Sequence, residues 1–122
     1  MMTILPRRRQ PARSGIERAE QRVWLRHRKF VRGHSCCVPG CEDGPIDFAH
    51  VKTVGSGGHD AQAVSLCRRH HKIQHDIGIA TFQTKYGVDL WAIAAAFVRA
   101  SPDVAMKEAI RMSSTLAQQV TR

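Results

Sequence analysis

Most of the four cysteines and seven histidines of this 122-residue chain gather in its middle third. Cys36, Cys37 and Cys41 fall close together. His50 stands alone, and Cys67-Arg68-Arg69-His70-His71 is followed by His75. Two short ligand pairs separated by about two dozen residues are what tetrahedral zinc requires, because each pair forms a tight knuckle and the metal ties two segments together. Cys67 and His70 make one pair. Cys41 makes the other with Cys36 or Cys37: a C-x4-C turn over Val38-Pro39-Gly40 favours Cys36 and leaves Cys37 as the alternative.

The later histidines divide by geometry. Neighbouring residues on a helix point about 100° apart, so His70 and His71 cannot easily serve one ion. His71 and His75 are four apart, stacked on a single helical face, a spacing that suits a shared divalent metal. The pattern therefore predicts two sites: a closed zinc site using His70, and an open one using His71 and His75.

The rest of the chain must position these groups. Its 43% hydrophobic content supports a modest core, but aromatics are only 6%, so a metal staple is a natural supplement. No apolar run approaches the ~20 residues that span a bilayer, and no apolar stretch follows the N-terminal arginines as a secretory signal requires. The expected setting is the cytoplasm, where reduced cysteines serve metals rather than disulfides.

Charge is distributed unevenly. Of the net +9, residues 1–34 contribute +8 (ten Lys/Arg against Glu17 and Glu20) and residues 35–122 only +1. A basic front on a near-neutral body favours a polyanionic partner, most commonly nucleic acid. Residues 1–13, with two prolines and the triple arginine Arg7-Arg8-Arg9, read as a flexible basic arm.

Residues 14–122 read as one domain. Ser14 and Glu17 have capping-box spacing and open a helix over 14–32, with Ile16, Ala19, Val23, Trp24, His27, Phe30 and Val31 on one face and arginines on the other. The Cys/His centre occupies 34–78 and includes a β-like run over 46–54 and an apolar patch over 63–66 leading to Cys67. Helices follow within 79–120: 79–86 ending at Gly87, 90–100, and a last one opened by Ser101 as cap with Pro102 in its first turn. His27, His34 and His59 read as structural or surface residues, Trp24 and Trp91 as core. The fold class is α+β.

The combination C-x4-C, Asp47-Phe48-Ala49-His50-Val51, a glycine-rich loop, Leu66-Cys67-x-x-His70-His71 and a further His75 resembles the ββα-metal HNH nucleases. It is most similar to small phage and prophage types related to recombination-enhancement (Ref-like) nucleases, and the likeness runs from about Phe30 to about Ala94. The resemblance implies a ββα-metal centre stapled by structural zinc and flanked by helices. It implies His50 as general base and His71 and His75 as ligands of a catalytic metal. Two positions depart from the family pattern. Ala49 stands where Asp or His commonly ligates metal, which makes Asp47, two residues upstream on the same strand face, a further candidate ligand. The middle Asn is also absent; Asp60 or Gln62 falls near its place and could orient the base.

Such a site would hydrolyse phosphodiesters as a DNA endonuclease or nickase. Imidazole, ordinarily titrating at about 6.5, suits proton abstraction at cellular pH. A divalent ion, Mg2+ or Mn2+, would stabilise the leaving oxygen, and imidazole ligation admits other transition metals. Arg68, Arg69 and Lys72 beside the metal residues, and Lys52 just past the base, are expected to hold DNA phosphates. The competing reading is a non-catalytic, zinc-stabilised nucleic-acid-binding module, a degenerate HNH unit to which Ala49 would belong.

Overall fold

The computed structural model describes residues 24–52 and 59–112. The predicted arm, with Arg7, Arg8 and Arg9, lies outside them, as does the first part of the predicted 14–32 helix. The described elements are α1 (Leu25–Arg32), β1 (Ile46–His50), a 3-10 turn (Asp60–Gln62), β2 (Ala63–Cys67), α2 (Arg68–Ile77), α3 (Ile79–Tyr86), α4 (Leu90–Ala100) and α5 (Val104–Met112). The architecture is α+β, as the sequence implies.

β1 and β2 pair antiparallel, with Ile46 opposite Cys67 and His50 opposite Ala63. Every residue of β2 is buried, so a short run of Ala, Val and Leu suffices to define it. β1 is shorter than the 46–54 run predicts, although pairing extends one step further through the Val51 amide, which donates to the Gln62 carbonyl at 2.7 Å.

Alternation along β1 separates two chemistries. Asp47 reaches Arg68 and His71 on α2. Phe48 and His50 point the other way, where the Phe48 ring meets His27 and the Arg28 guanidinium of α1. Ala49, on the Asp47 face, is completely buried.

Two apolar clusters hold these pieces. Phe82, Leu90 and Ala94, from α3 and α4, pack on Val64 and Leu66 of β2. A second cluster joins Trp24 to Ala61, Val98, Met106 and Ile110. It brings the start of α1 against the 3-10 turn and so decides where Asp60 sits. The helices of the first cluster are separated by glycines that a side chain would strain: Gly78 at φ 84° between α2 and α3, and Gly87 at φ 64° after α3.

The last helix begins later than Ser101-Pro102 predicts. Its first turn is capped by Asp103, whose Oδ1 accepts from the Met106 amide at 3.0 Å. Ser101 instead ends α4, and its hydroxyl is engaged with His27 Nδ1 at 2.9 Å and the Asp103 amide at 3.2 Å. Tertiary demand on the hydroxyl displaced the local cap.

Candidate active site and zinc centre

Cys36, Cys41, Cys67 and His70 converge, their ligand atoms all within 4.8 Å of one another. Cys41 Sγ lies 3.8 Å from Cys67 Sγ, and His70 Nδ1 lies 3.2 Å from Cys67 Sγ and 3.5 Å from Cys36 Sγ. Tetrahedral zinc with bonds near 2.3 Å to sulfur separates two sulfurs by about 3.8 Å, so the donor set fits. The cluster could hold a zinc. Burial pushes the Cys36 thiol up to about 11, so a neutral thiol is its stable form unless a cation takes the proton's place. Burial, then the charge of Arg69, lower the His70 pKa and favour the neutral imidazole that a ligand must be.

Local structure explains the convergence. Cys67 ends β2 and caps α2, its Sγ accepting from the His70 amide at 3.4 Å, which brings residues three apart onto one point. Of the two cysteines left open by spacing, Cys36 joins the cluster and Cys37 does not. The Cys37 amide donates to the Ser65 carbonyl at 2.9 Å, and this anchor to β2 sets which of the two neighbours faces the cluster.

His50 is positioned from the opposite face of the sheet. Its Nε2 lies 2.9 Å from Asp60 Oδ1. Asp60 is buried and also accepts from Arg28 Nε and Nη2, both at 2.8 Å, and from the Trp24 amide at 3.0 Å. Burial by itself would raise the Asp60 carboxyl, but the hydrogen bonds from His50, Arg28 and Trp24 outweigh it and hold it well below the usual carboxylate range. An ionised carboxylate only accepts, so His50 Nε2 carries a proton, and in the neutral ring the lone pair is then on Nδ1. Asp60, rather than Gln62, makes this contact. The His50 carbonyl accepts from Gln74 Nε2 at 3.2 Å, pinning the end of β1 to α2 between His71 and His75.

On α2, His71 Nε2 and His75 Nε2 face each other at 3.2 Å, within the roughly 3.0–3.4 Å that separates two adjacent ligands of one divalent ion. Asp47 Oδ2 accepts from His71 Nδ1 at 3.0 Å. That bond, opposed slightly by burial and helped by Arg68, lowers the Asp47 pKa. The His71 proton is thereby placed on Nδ1, leaving Nε2 free to coordinate. Asp47 therefore stands behind His71 instead of beside the two Nε2 atoms.

The expected phosphate-binding residues of α2 are exposed, and each has a carboxylate partner: Arg68 with Asp47 at 3.4 Å, Arg69 with Asp43 at 2.9 Å, Lys72 with Asp76 at 2.9 Å. Lys52 is exposed. His27 is fully buried, His59 Nδ1 accepts from the Ala61 amide, His34 is exposed, Trp24 is buried and Trp91 packs half-buried on the core. Arg28 is the residue sequence reasoning missed. Its bond to Asp60 spans 32 positions, and the only signal was a cation at the edge of an apolar helix face.

A two-stranded antiparallel unit followed by a helix, a histidine at the end of the first strand and histidines on the helix define a ββα-metal arrangement. Residues 16–105 match the family model described as "Putative HNHc nuclease". The chain belongs to this HNH nuclease family, which implies a nuclease-type function and a nucleic-acid substrate. No curated protein and no solved structure matches it. Among the described residues, no helix is long and apolar enough to cross a membrane.

Proposed function

We propose that the chain is a metal-dependent DNA endonuclease or nickase, related to the small phage-type HNH enzymes, with His50 as general base. The observation that carries this reading is the 2.9 Å bond between His50 Nε2 and Asp60. It reserves the Nδ1 lone pair for a proton. His50 Nδ1 takes the proton of the attacking water, and the imidazolium that forms is stabilised by Asp60, itself kept ionised by Arg28.

His71 and His75 would hold a divalent cation, Mg2+ or Mn2+, whose chemistry is charge neutralisation at the leaving 3′ oxygen. Asp47 orients His71 from behind, as outer-shell carboxylates do. The zinc held by Cys36, Cys41, Cys67 and His70 would be structural, fixing β2 against α2. Lys52, Arg68, Arg69 and Lys72 are the basic residues next to the base and the metal ligands in the chain, the last three with carboxylates beside them. The second reading, a zinc-stabilised binding module without catalysis, is favoured by Ala49, which is buried and offers no ligand.

Plasmid nicking with added divalent metal separates the two. His50→Ala should lower the rate on the order of 10²–10⁴-fold while leaving DNA affinity intact. Wild-type protein that binds DNA but does not nick it with any added divalent metal would establish the binding module instead, whereas nicking by purified His50→Ala protein equal to wild type would refute His50 as the base.

A further inference from the structure

We infer that the exposed face of α1, carrying Arg26, Lys29 and Arg32, is the main phosphate-binding surface of the described residues, and that its partner is a DNA duplex. This rests on the nuclease reading above and adds to it where the substrate lies.

Helix α1 has the sequence Leu-Arg-His-Arg-Lys-Phe-Val-Arg, with four cations and no acid in eight residues. His27 and Val31 are buried and fix which side faces the protein. Arg26, Lys29 and Arg32 are exposed. Among the described residues none of these three side chains has an ion pair or a hydrogen bond, whereas Arg68, Arg69 and Lys72 on α2 each hold a carboxylate.

This difference decides between the two helices. A phosphate reaching α2 meets cations already part-neutralised by Asp47, Asp43 and Asp76, and these carboxylates repel it, so the net gain is smaller. Among the described residues no carboxylate competes for α1, so a phosphate reaching it displaces water and loosely held counterions, and counterion release is what makes duplex binding favourable. The location agrees. Arg32 lies one helical turn from Arg28 on the same row, and Arg28 grips Asp60, which holds His50. The row of cations thus starts one side chain away from the candidate base. From Arg26 to Arg32 the helix rises about 9 Å, a length over which a duplex presents about five phosphate charges.

The test is the salt dependence of binding to a 20-base-pair DNA duplex, in the full-length chain carrying His50→Ala, without added divalent metal or chelator. Duplex integrity is checked on a denaturing gel. In that background, the triple variant Arg26→Gln, Lys29→Gln, Arg32→Gln should make the log–log salt slope shallower by about 2–3 units. The triple variant Arg68→Gln, Arg69→Gln, Lys72→Gln should change it by less. All six positions are exposed, so circular dichroism and zinc content should match the parent. An unchanged slope for the α1 variant would make that face merely solvated and overturn the inference. So would an α2 variant losing as much slope as the α1 variant. Duplex cleavage by His50→Ala protein would count against the base assignment alone, because the slope comparison reads binding and not chemistry.

Discussion

Asp60 and His50, ten positions apart, are joined at 2.9 Å, and the same carboxylate is held from its other side by two donors of Arg28. The side chain assigned as base is therefore positioned through a relay that begins on α1, outside the ββα unit itself.

Arg28→Lys keeps the charge but loses the two-pronged grip. Single-turnover nicking should slow about 10–100-fold, as expected when a reacting group is misplaced, with duplex affinity little changed. Arg28→Ala should also destabilise the fold, on the order of 3 kcal/mol, because it takes the fixed cation and two of four donors from a buried carboxylate; urea unfolding measures this. Unaltered nicking by Arg28→Lys would show that the relay does not govern the base.

His75→Ala and Asp47→Asn should both act through metal affinity. His75→Ala removes a donor, and raising Mn2+ should restore part of the activity. Asp47→Asn should weaken metal binding roughly 10–100-fold, the usual cost of losing an outer-shell partner. Titration of Mn2+ against nicking rate reads both. Rescue of His50→Ala but not His75→Ala by excess metal would mean base and ligand are assigned the wrong way round.

The zinc centre predicts about one zinc per chain by native mass spectrometry. Cys36→Ser and Cys67→Ser should lose the metal and lower the melting temperature sharply, because metal binding and folding are coupled. Cys37→Ser should retain both. Equal zinc loss from Cys36→Ser and Cys37→Ser would contradict the geometry.

Acid should weaken the fold through His27. Burial lowers its pKa to about 4 from 6.5, so the unfolded chain takes up the proton first as pH falls. The contribution is complete above about 6.5, declines between 6.5 and 4, and falls no further below that window, in total about 3 kcal/mol. The difference in unfolding free energy between wild type and His27→Asn should narrow by about 2 kcal/mol from pH 7 to pH 5. A constant difference over that range would show that His27 is protonated as readily in the folded chain.

What could be read in advance was local. Cys67-x-x-His70 is a helix-start knuckle whose geometry follows from three-residue spacing, and His71 with His75 follows from the helical period. Cys36 over Cys37 was favoured by turn length, but the choice is made by an amide bonded to Ser65 on another strand. The cap of α5 was misplaced because Ser101 is recruited by His27, 74 positions earlier. Arg28 was invisible for the same reason: nothing near it in the chain names Asp60.

The alternation of β1 has a consequence for how this chain can vary. Asp47 and His50 are three positions apart and so point to opposite sides of a two-stranded ribbon, one serving the helix histidines and the other the Arg28 relay. A point substitution on one side leaves the direction of the side chains on the other unchanged. Inserting or deleting one residue between them cannot be accommodated so simply, because it reverses parity and turns one of the two chemistries onto the wrong side. In this segment, length is constrained more tightly than composition.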